Sequence, residues 1–304
     1  MSFNDNARLD SGRIKDSRGR GRGTKIAAGG GGIIVVLLAA LLGINPDMLT
    51  QLGLGSSTTT EQTTGENGGP SITECKTGAD ANARADCRIL ATTQSLDSFW
   101  LDYLPQYDVQ VRKPGVEVFD DQVDTACGTA TSAVGPFYCP GDQVAYFDTG
   151  FFAELSSTYG SDGGPLAEEY VVAHEYGHHI QNTIGTLSAS QQGGKGATSG
   201  SVRVELQADC FAGMWAAHAS NTKDENGTAF LEPFSKADLS SALSAASAVG
   251  DDRIQEASSG RVNPQVWTHG SSDQRQAWFL QGYSTGDINK CDTLSAKDLD
   301  RPGA

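Results

Sequence analysis

Hydrophobic and polar positions divide the chain into four stretches. Residues 1–25 are polar and charged, rich in Arg, Gly, Ser and Asp, and show no periodic apolar face. That pattern predicts a disordered head. Ile26 to Ile44, "IAAGGGGIIVVLLAALLGI", is 19 residues without a charge. As a helix it extends roughly 28 Å, close to the hydrocarbon thickness of a bilayer, and predicts one transmembrane helix over 26–44. The rival is a cleaved signal peptide, with a long basic region and no Ala-x-Ala site before Pro46. Residues 45–70, which include "GLGSSTTTEQTTGENGGP", have no apolar period and read as a flexible linker. The patterns of a folded domain run from about Ser71 to Leu299.

Within that domain the spacing predicts a helix over 80–105, closed by Pro105, and a strand at "GVEVFDD" (115–121), where apolar and polar residues alternate. "FYCPGDQVAYFD" (137–148) reads as a turn and a second strand. Residues 163–185 carry helix punctuation, with Pro165 at the first turn and Gly185 as the carboxy-terminal cap. Serines open and an Asn closes a further helix at 199–221, and others cover 236–248 and 273–283. The expected fold class is α+β and helix-dominated, with a small β-sheet, after one transmembrane helix.

Charge sharpens this picture. The first 25 residues hold seven Lys/Arg against three Asp, so a +4 head precedes a body of −19 in a chain of net −15. A basic head before an apolar segment stays cytoplasmic by the positive-inside rule, which places the carboxy-terminal domain outside the cytoplasm. An acidic body excludes nucleic acid as a partner. All six cysteines (Cys75, Cys87, Cys127, Cys139, Cys210 and Cys291) follow the apolar segment, where disulfides persist. Fifteen connectivities are open; Cys75 with Cys87 and Cys127 with Cys139 would each close a short loop, leaving Cys210 with Cys291. With no Cys-x-x-Cys pair present, a cysteine zinc site is the lesser reading.

The chemistry lies in "AHEYGHHIQ" (173–181). His174 and His178 are four residues apart, so on a helix both imidazoles leave one face and both ring nitrogens can reach one zinc at about 2 Å. Glu175 sits beside them as a general base. "VELQADC" adds Glu205 and Asp209, again four apart on an apolar helix. Glu205 is the candidate third ligand and Asp209 the partner of a ligand histidine's other N–H, with the roles interchangeable at this level. The alternative is two solvent-facing acids. His269, in "THGSSDQR", is the candidate donor to a tetrahedral oxyanion, with Arg275, Tyr146 and Tyr176 behind it. His179, about 140° round the helix from His174, and His218 read as structural. "QVAYFD" is equally a candidate edge strand for an extended peptide or an ordinary core strand, and "GDDR" (250–253) a candidate source of supporting carboxylates or a helix cap.

Glu-x-x-x-Asp after His-Glu-x-x-His resembles the gluzincin arrangement of zinc metallopeptidases. More closely, "ACGTATSAVGPFYCPGDQVAYFD" (126–148), "AHEYGHHIQ", "ELQADCFAGMWA" (205–216), "GDDRIQ" and "THGSSDQRQAWFLQG" (268–282) resemble the bacterial putative neutral zinc metallopeptidase family, as does the basic head with its single anchor. The resemblance implies a membrane-anchored zinc hydrolase and adds no substrate. With the residues above, the leading expectation is an extracytoplasmic zinc endopeptidase with one Zn2+ per chain, a protein or peptide substrate, and a single-pass topology with the amino terminus cytoplasmic. A catalytically silent zinc-stabilised surface module and a hydrolase of a non-peptide amide are the competing expectations.

Overall fold

The computed structural model describes residues 2–19 and 70–303. The expected transmembrane helix at 26–44 and nearly all of the 45–70 linker lie outside the described residues. Among the described residues, no helix is long and apolar enough to cross a membrane.

The helices are α1 (Gly78–Ala83), α2 (Ala85–Tyr103), α3 (Phe151–Ser157), α4 (Pro165–Ile184), α5 (Gly200–His218), α6 (Lys236–Ala248), α7 (Asp251–Ser259) and α8 (Ser272–Thr285). The helix expected over 80–105 is broken at Arg84, whose backbone is extended (φ −134°, ψ 134°). Pro165 opens α4 and Gly185 closes it in the left-handed region. Ser199 caps α5 by accepting from the Val202 N–H. Helix α4 packs on α2, α5 and α6, and α8 lies along α5. The α5–α8 approach depends on two glycines. A Cβ on Gly213 would run into the backbone of Phe279, and one on Gly282 into that of Cys210. Trp100, Trp215, Trp278, Tyr170 and Phe211 fill the core between these helices.

The strands are β1 (Lys15–Asp16), β2 (Gly115–Phe119), β3 (Gln122–Thr125), β4 (Gly128–Thr131), β5 (Phe137–Cys139) and β6 (Val144–Asp148). The main sheet has the order β1-β2-β6-β5, parallel except for β5; β3 and β4 form a separate hairpin. "QVAYFD" is therefore an interior strand between β2 and β5, the core-strand alternative and not the edge. β5 takes the edge instead.

Residues 2–19 correct a second expectation, that the whole head is disordered. They lie along the domain as a strap. Phe3, Ala7, Leu9 and Ile14 enter the core, each 8% exposed or less. Phe3 bridges Leu231, Arg8 bridges Thr77, and β1 extends the sheet beside β2. The folded unit thus comprises residues 2–19 with 70–303, and does not begin at Ser71. All six cysteines are paired, Cys75–Cys87, Cys127–Cys139 and Cys210–Cys291, the set that loop lengths suggested.

Candidate metal centre

Helix α4 carries His174, Glu175 and His178; helix α5, packed against it, carries Glu205 and Asp209. Gly177 lets the two helices close. A Cβ there would stand 3.1 Å from the Ala208 carbonyl oxygen. One nitrogen each from His174 and His178 and one carboxylate oxygen of Glu205 lie within 4.8 Å of one another. His174 Nε2 is 3.1 Å from Glu205 Oε2, and His178 Nε2 is 3.6 Å from Glu205 Oε1.

Each histidine is oriented from behind. His174 Nδ1 lies 2.8 Å from Asp209 Oδ1, and His178 Nδ1 lies 2.8 Å from Gln181 Oε1. Each Nδ1 donates to its partner, which leaves both Nε2 atoms directed at Glu205. Asp209 is fully buried and four bonds hold it. Tyr170 donates its hydroxyl at 2.5 Å, and Arg275 donates through Nε at 2.8 Å and Nη2 at 2.9 Å, besides the His174 bond. This charge network sets the local titration. Burial opposes a charge on His174, but the Asp209 and Glu205 carboxylates outweigh it and raise its pKa to about 10. Burial also opposes ionised Glu205 and Asp209, yet the surrounding cations hold both well below the usual carboxylate range.

His269 stands on the loop before α8. The Asp251 carboxylate accepts the backbone N–H groups of Thr268, His269 and Gly270, at 2.8, 2.7 and 3.0 Å, and its other oxygen lies 3.3 Å from His269 Nδ1. His269 is near enough to Glu205 for each to shift the other's titration. The three alternative oxyanion donors have their polar atoms engaged elsewhere. Arg275 is buried against Asp209, Tyr146 donates to Asp142 at 2.8 Å, and Tyr176 donates to Asp97 at 3.0 Å. His179 sits between Tyr138 OH (3.0 Å) and the Arg112 carbonyl (2.6 Å), and His218 bonds the Met214 carbonyl and stacks on Phe99.

Sequence reasoning missed Tyr170, Gln181 and the pairing of Asp251 with His269. Tyr170 precedes His174 by four residues and Gln181 follows His178 by three, so helical spacing alone places both on the ligand face. The second cluster of ligand-type atoms, Cys75, Asp86 and Cys87, is spent otherwise: the sulfurs are joined, and Asp86 pairs with Arg18 and Arg84.

Two packed helices thus bring two imidazoles and a carboxylate together, with a glutamate beside the first histidine, in a group that could hold a metal ion. The donor set fits zinc: nitrogen and oxygen ligands, three in number, each held in its tautomer or charge state by a partner. The chain belongs to the family described as putative neutral zinc metallopeptidase, whose model matches residues 3–294. It is 57% identical over 229 residues to the uncharacterized protein Rv2575 of Mycobacterium tuberculosis and, to the same extent, to Mb2605 of Mycobacterium bovis, covering 75% of this chain and 77% of each relative. It is 39% identical over 220 residues to the uncharacterized protein YpfJ of Escherichia coli K12, covering 71% and 72% of the two chains. No solved structure matches the chain at a significant level.

Proposed function

We propose that the protein is a zinc-dependent endopeptidase holding one Zn2+ through His174, His178 and Glu205. The observation that carries this reading is the convergence of those three ligand atoms with Glu175 on the same helix turn. A structural zinc site has no use for a base beside its ligands. When bound, zinc supplies a Lewis acid that polarises a carbonyl and acidifies water.

The chain's own residues do the rest. Glu175, 8% exposed at the site, takes a proton from the attacking water and returns it to the leaving amine. His269 donates to the developing oxyanion, and Asp251 keeps it oriented and charged. Asp209, braced by Tyr170 and Arg275, holds the His174 ring. The edge strand β5 runs beside α4, where Tyr138 touches His179 and Asn182. An extended peptide adds to that edge, with main-chain bonds giving affinity without strong sequence preference. Three disulfides favour an oxidising compartment outside the cytoplasm for the folded unit.

The test compares the full chain with Glu175→Gln, recording bound metal and cleavage of an unfolded-protein mixture. Both proteins should bind one zinc and only the unaltered chain should cleave. Zinc in both with cleavage by neither moves the reading to a binding module or a non-peptide amidase. Absence of metal from a folded protein removes the centre itself.

A further inference from the structure

The strap of residues 2–19 is bonded to the domain along its length. Asn4 N–H donates to the Phe230 carbonyl at 3.0 Å, Arg8 N–H to Asp224 at 2.8 Å, and Leu9 N–H to the Lys76 carbonyl at 2.9 Å. Arg13 clasps Asp97 through two nitrogens, at 2.5 and 2.8 Å, and reaches the Pro114 carbonyl at 3.0 Å. Ser2 hydrogen-bonds Glu169 on α4, and Asp97 accepts the Tyr176 hydroxyl, so the strap meets the site helix at two places. Four strap side chains belong to the core, and a core residue cannot leave without opening it.

The strap also ends where the chain returns. Arg18 Nη2 lies 3.5 Å from the carbonyl oxygen of Pro70. A single membrane crossing between those points would set its two ends about 30 Å apart, on opposite faces of the hydrocarbon. Three of the seven cations that argue for a cytoplasmic head are engaged in ion pairs with the folded unit. Arg13 pairs with Asp97, Lys15 with Glu117, and Arg18 with Asp16 and Asp86. Engaged cations no longer act as free positive charge at a membrane surface.

We infer that the amino-terminal strap and the metal-bearing domain occupy the same side of the membrane. A strap docked into the core shares whichever face of a membrane its domain occupies. The single-pass arrangement with a cytoplasmic head and an external domain is therefore not the topology of the folded protein. This inference is independent of the hydrolase reading, since it rests on packing alone.

The test uses the unaltered full chain in intact cells. A membrane-impermeant amine reagent is applied before or after lysis, and peptide mass spectrometry reads Lys15, on the strap with 60% of its side chain exposed, against the exposed Lys236 of α6. The two lysines should be modified together, whether before lysis or only after it. Because Lys15 is ion-paired, a thiol reagent repeats the comparison on Asn6→Cys and Ser258→Cys, both at exposed positions. Modification of the domain site in intact cells, with the strap site reacting only after lysis, overturns the inference in either format. Neither readout involves metal or catalysis, so its failure would leave the hydrolase proposal standing.

Discussion

His174 concentrates the electrostatics of the site. Its proton must leave before Nε2 can accept a metal ion, and the flanking carboxylates hold that proton up to about pH 10. Over the neutral range the apo protein is therefore protonated there, and metal binding releases one proton. Apparent zinc affinity should rise about tenfold per pH unit between pH 6 and 8, measured by competition with a chelator of known pH dependence. A flat profile would mean that His174 is neutral before the metal arrives. The stability sign is opposite. A raised histidine pKa stabilises the apo fold fully below the unfolded value, and that contribution is lost as pH climbs through about 10. At this scale His174, Glu175 and His178 were legible in the sequence because a four-residue spacing is already a statement about one helix face. Asp251 was legible only as a possible supporting carboxylate and not as the partner of His269, which is 18 residues away on the loop before α8.

The packing of α5 against α8 decides how tightly the site is supported. Arg275 on α8 braces Asp209 on α5, so the metal side of α5 depends on the registry of the two helices. That registry is set by Gly213 and Gly282. Gly213→Ala forces the helices apart and should destabilise the protein by about 1–3 kcal/mol, the usual cost of overpacking, despite alanine's better helix propensity. Chemical denaturation of the full chain would measure it; an unchanged or raised midpoint would show the contact to be slack. Helix α4 was readable because Pro165 and Gly185 marked its two ends, and α5 because a serine marked its start. Helix α7, "DDRIQEASS", has one aliphatic residue longer than alanine and no periodic apolar face, and β3 and β4 are short and polar. Local pattern carries no signal where burial comes from elsewhere.

Over the whole molecule, two devices join distant parts of the chain. The Cys210–Cys291 disulfide spans 81 residues and pins α5 to the carboxy-terminal segment. Replacing both cysteines with serine should cost about 2–5 kcal/mol, seen as a lower denaturation midpoint, the range expected when a long loop is released. The strap is the other device, and the sequence hid it for a physical reason. Phe3, Ala7, Leu9 and Ile14 are separated by four, two and five positions, which fits neither a helix nor a strand, and charged residues surround them. Only the surface they dock on makes them a pattern.

That docking also orders events in time. Phe3 bridges Leu231, and the Ser2 carbonyl accepts the N–H of Glu232. Ser2 and Phe3 thus wait for partners synthesised some 230 positions later, roughly 10–50 s at ordinary elongation rates. Throughout that interval the nascent chain displays its amino terminus and the apolar run behind it to whatever receives new proteins.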